Sequence, residues 1–345
     1  MVRLSQPPAP LTNLPNLANL AAAAALTNEP QLPPECFDVL TLGESMALLA
    51  ASTPGPLHEV SHFTRFLAGA ETNVAIGLAR LGLRVGWLSR LGQDAFGDFV
   101  LEAVRREGVD VSHVLRDASR STGFMLKGRS LDSQDPAIDY YRRGSAASAL
   151  SVADFDAPWF ASARHLHLTG ISPALSASSA ALVAHAMQAM RELGRSVSFD
   201  PNLRPRLWPS PEHMRLQLNA LAVQAHWVLP GLAEGQWLTG RHTPAEIARF
   251  YLDQGVQAVV VKLGAQGAYV AAEGFEGLVP GVPVAQVVDT VGAGDGFAAG
   301  FISARLEGRT WAEAAARGNW VGAQAVQSAG DMDGLPLRAA MPAHL

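Results

Sequence analysis

Residues 289–301 read Asp289-Thr290-Val291-Gly292-Ala293-Gly294-Asp295-Gly296-Phe297-Ala298-Ala299-Gly300-Phe301. The apolar-rich lead-in Val284-Ala285-Gln286-Val287-Val288 predicts a strand, and behind the glycines Phe297, Phe301 and Ala304 recur at helical spacing. Gly292, Gly294 and Gly296 therefore fall where a strand passes into a helix N-terminus. Glycine lets the backbone turn tightly and approach a ligand, and the first N–H groups of a helix have no internal acceptor. With the helix dipole they form an anion site suited to phosphate. The one carboxylate in that positive nest, Asp295, is poorly suited to gripping phosphate but well placed to take a proton from a hydroxyl attacking one. The stretch thus predicts phosphoryl transfer; a plain tight turn with Asp295 as a helix cap is the competing explanation. A dinucleotide fingerprint would need glycine at Phe297, and a Walker A loop needs a Gly-Lys pair. The only lysines are Lys127 and Lys262, neither of them preceded by glycine.

Working outward, Ala68-Gly69-Ala70-Glu71-Thr72-Asn73-Val74-Ala75-Ile76-Gly77-Leu78-Ala79-Arg80-Leu81-Gly82 places Val74, Leu78 and Leu81 on one helical face. Thr72 is expected to cap that helix and Gly82 to end it. Asn73, near the open end, offers a donor and an acceptor to vicinal hydroxyls. The run D-T-V-G-A-G-D-G-F-A-A-G closely resembles the second signature of the ribokinase-like (PfkB) carbohydrate kinases. The 68–82 segment resembles their first, with Ala68 where the first glycine usually stands. The likeness continues through Leu91-Gly92-Gln93-Asp94-Ala95-Phe96-Gly97 and covers about residues 37–336. It implies Asp295 as catalytic base, Gly292, Ala293 and Gly294 as the anion hole, and Gly69 and Asn73 on the sugar.

The chain has 345 residues, enough for a sizeable core, and its net charge of −5 with no basic block argues against a nucleic-acid surface. A single cysteine, Cys36, excludes an internal disulfide and fits a reducing cytoplasm. No apolar run is long enough to span a membrane. Residues 1–35 are rich in Pro, Asn, Leu and Ala and read as a disordered extension, or as the result of a start assigned too early; a kinase domain is expected over 36–345. From Phe37-Asp38-Val39-Leu40-Thr41-Leu42-Gly43 onward, strand-like segments (85–88, 165–168, 197–199, 227–229, 258–261) alternate with helix-like ones (72–81, 96–107, 176–193, 244–254). This α/β alternation predicts a mostly parallel central sheet with helices on both faces and a ligand site beyond the strands' carboxyl ends. Two β-prone stretches, about 46–66 and 122–145, predict a small β-sheet lid over that site.

Two further segments resemble 2-keto-3-deoxygluconate kinases within that family: Tyr140-Tyr141-Arg142-Arg143-Gly144-Ser145-Ala146 and Asp200-Pro201-Asn202-Leu203-Arg204-Pro205-Arg206-Leu207-Trp208. Tyr140 and Arg142 share one strand face, and arginine grips carboxylate through paired charged hydrogen bonds, so Arg142 and Arg204 suit an acidic sugar. Met125 stands where those kinases often carry tyrosine. On the nucleotide side, Lys262-Leu263-Gly264-Ala265-Gln266-Gly267 resembles the family's ATP turn, with Lys262 as a point charge and Gly264 and Gly267 allowing backbone approach. The resemblance also places Asn319, in a helix over 317–326, beside adenine. It makes Glu234 the indirect, water-mediated support of Mg²⁺, with Gly231 replacing the usual asparagine of N-x-x-E. ATP, Mg²⁺ and a homo-oligomer follow from the resemblance. Fructose or 5-dehydro-2-deoxygluconate as substrate, and an idle sugar- or nucleotide-binding sensor, are the alternatives.

Overall fold

The computed structural model describes residues 37–129, 137–328 and 330–345, so the expected extension over 1–35 lies outside the described residues. Its frame is a nine-stranded sheet. Within it β1 (Phe37–Leu42) runs parallel to β4 (Val85–Gly92) on one side and β8 (Ala163–Thr169) on the other, so Val39 pairs with both Val85 and His165. Beyond β4 lies β5 (Val114–Asp117). Beyond β8 follow β9 (Ser196–Asp200), β10 (Trp227–Val228) and β11 (Ala258–Lys262), all parallel to their neighbours. The antiparallel hairpin β12 (Gly267–Ala272) and β13 (Phe275–Pro280) completes the edge.

The strands are apolar on both faces because both faces are covered. Val39 and Val260 join one core, whereas Leu40, Leu42, Val259 and Val261 join the other. The first core packs under α1 (Ala70–Arg80), α2 (Ala95–Arg106), α8 (Ala293–Leu306) and α9 (Trp311–Ala325), through side chains such as Val74, Val104, Phe301 and Val321. On the other face lie α3 (Ala157–Ala161), α4 (Ala177–Glu192), α5 (Pro211–Ala222), α6 (Leu232–Thr239) and α7 (Pro244–Leu252), which supply Phe160, Met187, Leu218, Leu238 and Tyr251. Among the described residues, no helix is long and apolar enough to cross a membrane.

The lid is a separate four-stranded sheet in the order β3 (Phe63–Ala68), β2 (Met46–Ala51), β6 (Phe124–Lys127), β7 (Ile138–Tyr141). It has its own small core of Met46, Leu48, Ala68 and Met125.

Two local expectations are corrected. Residues 284–288 form no strand: Val287 and Val288 are exposed, and the N–H groups of Val288 and Asp289 both point to the Val326 carbonyl at the end of α9, at 2.8 and 3.3 Å. The sheet edge on that side is already filled by the β12–β13 hairpin. Thr72 is not the helix cap either. Gly69 occupies that position, and the Thr72 hydroxyl donates back to the Gly69 carbonyl at 3.0 Å. Gly82, as expected, ends the helix at φ 90°.

α8 and α9 pack closely where Gly300 meets Gly318. An added Cβ at Gly300 would lie 2.7 Å from the Arg317 carbonyl, a backbone atom that cannot swing aside. Gly300→Val is therefore expected to cost about 1–3 kcal/mol through forced helix separation, read as a lower Tm.

Candidate active site

The central sheet's strand order reverses around β1, and the carboxyl ends of its strands open into a cavity of about 470 Å³. Glu44 lies just past β1, Ile171 past β8, Asp200 at the end of β9 and Lys262 at the end of β11. The lid contributes Met46, Met125, Lys127 and Tyr140, and the start of α8 closes the far wall.

Gly292 caps α8 at φ 82°, a left-handed conformation suited to glycine, and a Cβ there would collide with the Asp331 carbonyl. The N–H groups of Gly292 and Gly294 find no acceptor among the described residues, and that of Ala293 has only a long contact to Thr290, 3.4 Å. Three backbone donors thus stand at the positive end of a fourteen-residue helix. Asp295, two residues inside α8, is buried and lines the cavity. Burial raises its carboxyl to about 7, with Asp200 and Asp331 adding to the shift and the Asn73 hydrogen bond and Lys262 opposing it. A carboxylate poised near neutrality is suited to general-base work.

Asn73, read from sequence as a sugar ligand, spends its amide on Asp295: Nδ2 donates to Oδ2 at 2.8 Å. Its buried Oδ1 has no partner among the described residues. Gly69 lines the cavity beside it. Beneath, the buried Glu71 accepts from Thr169 and Ser172 at 2.8 and 2.6 Å, tying the start of α1 to the end of β8.

Of the cavity's cations, three are already paired. Arg142 donates through Nε to Glu44 at 2.6 Å, with Nη2 also on that carboxylate at 2.5 Å, and Ser145 donates to the other oxygen of Glu44. Lys127 pairs with Asp289 and Lys262 with Asp200. Of these four cations Arg204 is the one that makes no ion pair with a carboxylate among the described residues, although its charge reaches Asp331; its Nη1 donates to the neighbouring Leu203 carbonyl at 2.9 Å. The 200–204 turn is held by Glu234, whose Oε1 accepts from Leu203 N–H at 2.8 Å while Oε2 caps α6 at Gly231 N–H, also 2.8 Å. The Arg142 guanidinium lies 6.0 Å from the Tyr140 ring centre, although Arg142 stands one residue past the end of β7 rather than on the strand as expected. Met125 presents a thioether to the cavity where tyrosine was expected in similar proteins.

The nucleotide candidates gather at one end of the antiparallel run β11–β12–β13, where β11 turns into β12 and β13 ends. Gly267 pairs with Pro280, and Asn319 donates to the carbonyls of Val279 and Pro280 at 3.1 and 2.9 Å, so its amide hydrogens hold that corner. Gly264, at φ 58°, begins the turn between the two strands. None of the three lines the cavity. Lys262 connects the two regions: a Cβ on Gly294 would sit 3.3 Å from its ammonium, which therefore lies over the α8 N-terminus. Burial alone would lower the Lys262 ammonium, but the Asp200 and Glu234 carboxylates reverse this and hold it above its ordinary value.

Sequence reasoning missed Glu44, Asp200, Asp331 and the Lys127–Asp289 pair as members of the site. Glu44 and Asp200 carried a signal, since each sits at the carboxyl end of an expected strand. Asp331 carried none. It follows α9, is buried with Oδ1 unpartnered among the described residues, and burial lifts its carboxyl to about 6.

Comparison with known proteins agrees with this geometry. The chain is 50% identical over 310 residues, 90% of its length and 95% of the relative's, to a protein of Bacillus subtilis (strain 168) named 2-dehydro-3-deoxygluconokinase. It is 55% identical to a PfkB protein of known structure from Polaromonas sp. JS666, with a TM-score of 0.82 over 88% of this chain and 98% of that one. A putative ribokinase II from E. coli, solved in complex with ATP and Mg²⁺, is 28% identical with a TM-score of 0.81, covering 88% of this chain and 97% of its own. Residues 37–338 match the pfkB carbohydrate kinase model, and the chain belongs to that family.

Proposed function

We propose that the protein transfers the γ-phosphoryl group of ATP to the terminal (6-) hydroxyl of 2-keto-3-deoxygluconate. The observation that carries the acidic substrate is the Arg204 guanidinium, which makes no ion pair among the described residues in a cavity whose other cations are each paired with a carboxylate. It agrees with the substrate in the Bacillus subtilis relative's name. The sugar's carboxylate meets Arg204, and its far hydroxyl lies at Asp295. That carboxylate takes the hydroxyl proton as the oxygen attacks the γ-phosphorus. The backbone N–H groups of Gly292, Ala293 and Gly294, with Lys262 above them, receive the charge developing on the phosphoryl oxygens. The lid, through Met46 and Met125, keeps water from the reacting centre. ATP extends from there toward Gly264, Gly267 and Asn319; that ATP is the donor is supported by its presence in the E. coli neighbour.

No group of three or more His, Cys, Asp or Glu among the described residues is disposed to hold a metal directly. Both oxygens of Glu234 are engaged by backbone N–H groups, and Asp200 by Lys262. This suits Mg²⁺, which keeps several waters and is carried largely by substrate phosphates, with Glu234 and Asp200 as support through water. When bound it would neutralise charge on the β- and γ-phosphates.

The test is product analysis. Incubation with ATP, Mg²⁺ and 2-keto-3-deoxygluconate should release one ADP per sugar and give a phosphorus–carbon coupling at C6 by NMR. Phosphate on any other carbon, or ADP release that is independent of sugar, would overturn the reading.

A further inference from the structure

Among the described residues, a charge pair joins the lid to the catalytic turn. Lys127 is the last residue of β6, at the rim of the lid, and its buried ammonium is paired with Asp289, 162 residues further on. Asp289 divides its carboxylate: Oδ2 holds Lys127, and Oδ1 accepts from Val291 N–H at 3.1 Å. Its own N–H is directed to the Val326 carbonyl at 3.3 Å. Asp289 therefore shapes the three residues leading into Gly292, and Lys127 holds Asp289 in that orientation from the lid.

We propose that Lys127 is a positioning residue for phosphoryl transfer: seated on the lid, it clamps Asp289 and so sets the turn that presents the Gly292–Gly294 N–H groups to the transferring phosphoryl group. The inference rests on the kinase reading above.

The exposed alternative, an incidental surface ion pair, is worth little, but here the side chains are only 10% and 19% exposed. Removing either partner leaves a poorly solvated charge beside the buried Asp331. A role for Lys127 as the sugar's carboxylate ligand is disfavoured because Asp289 already neutralises it, whereas Arg204 makes no ion pair among the described residues. The pair also joins two parts of the fold with separate cores, the lid's Met46–Leu48–Ala68–Met125 cluster and the main sheet. A closed lid and a formed anion hole are then one event, which ties phosphoryl transfer to an enclosed sugar.

The test uses the full chain with Lys127→Met, Asp289→Asn, the double variant and Lys127→Arg, measuring kcat, KM for sugar and ATP, and Tm. Each single change to a neutral residue is expected to lower kcat about 10–100-fold with sugar KM within about threefold. The double variant should lose no more than the worse single one, since one contact is removed twice. Lys127→Arg should recover most of kcat. Wild-type kcat in Lys127→Met, or multiplicative losses in the double variant, would overturn the proposal. A loss confined to sugar KM in Lys127→Met but absent in Asp289→Asn would instead make Lys127 a substrate ligand. Should Lys127→Met not fold, an Asp289→Asn variant with wild-type Tm and unchanged kcat would refute the clamp by itself. If the wild type turns over no sugar, the kinase reading fails rather than the clamp.

Discussion

Asp295→Asn is expected to lower kcat by about 10²–10⁴-fold, the usual scale for a lost general base, with little change in ATP affinity. The residue lines the cavity beside the Gly292–Gly294 donors, where the proposed reaction puts the sugar hydroxyl, and burial places its carboxyl at about 7 rather than 3.8. Below that value the base is protonated, so wild-type kcat/KM should rise about tenfold per pH unit up to about 7 and then level. The same shift bears on stability. A carboxyl raised in the fold binds its proton more tightly there than in the unfolded chain. Its stabilising contribution is thus complete below pH 3.8 and lost as pH rises through 7. At pH 8 the native protein carries a buried carboxylate that asparagine would not, so the inactive variant should melt about 2–5 °C higher than wild type. The gap should shrink toward pH 5. Steady-state kinetics and thermal melts at pH 5 and 8 check both parts; an active variant, or one that melts lower at pH 8, contradicts them.

Arg204→Ala should reduce kcat/KM for the acidic sugar by about 10²–10³-fold, the range for losing one partner of a buried charge-assisted pair, while activity on a neutral sugar stays near its starting level. Arg142→Ala should behave differently despite its similar chemistry. Its guanidinium already answers Glu44, whose side chain is 1% exposed. Truncating it strands that carboxylate and should destabilise the fold by about 3–5 kcal/mol. A lower Tm is therefore expected from Arg142→Ala and a substrate-specific kinetic defect from Arg204→Ala. If the two exchanged phenotypes, Arg142 would be the carboxylate ligand and Glu44 its holder.

The division between these arginines shows where sequence reading stops. The segments 140–146 and 200–208 located both residues near the site, and the alternation of strands and helices located the sheet, because burial on two faces writes itself as short apolar runs. Neither segment reveals what a charge is paired with. Glu44 reaches Arg142 across 98 residues and Lys127 reaches Asp289 across 162, and such pairings exist only once the chain is folded. The same holds for Asn73, whose helix was legible while its bond to Asp295, 222 residues away, was not. The strand expected over 284–288 failed for a related reason. Its valines match a strand pattern locally, but the hairpin over 267–280 had taken the sheet edge, leaving Val287 and Val288 exposed and Val288 bonded to the Val326 carbonyl. The 289–301 glycine turn was read correctly as a helix start because its logic is local: a left-handed Gly292, free N–H groups and one acid within four residues.

The most direct test of the account is the ratio of kcat/KM for 2-keto-3-deoxygluconate to that for fructose, ribose, gluconate and 5-dehydro-2-deoxygluconate, with saturating ATP and Mg²⁺. Arg204, without an ion pair among the described residues and lining the same cavity as Asp295, predicts at least about tenfold preference for the keto-deoxy acid. Equal or better turnover of fructose or ribose would contradict the assignment of Arg204 to a substrate carboxylate.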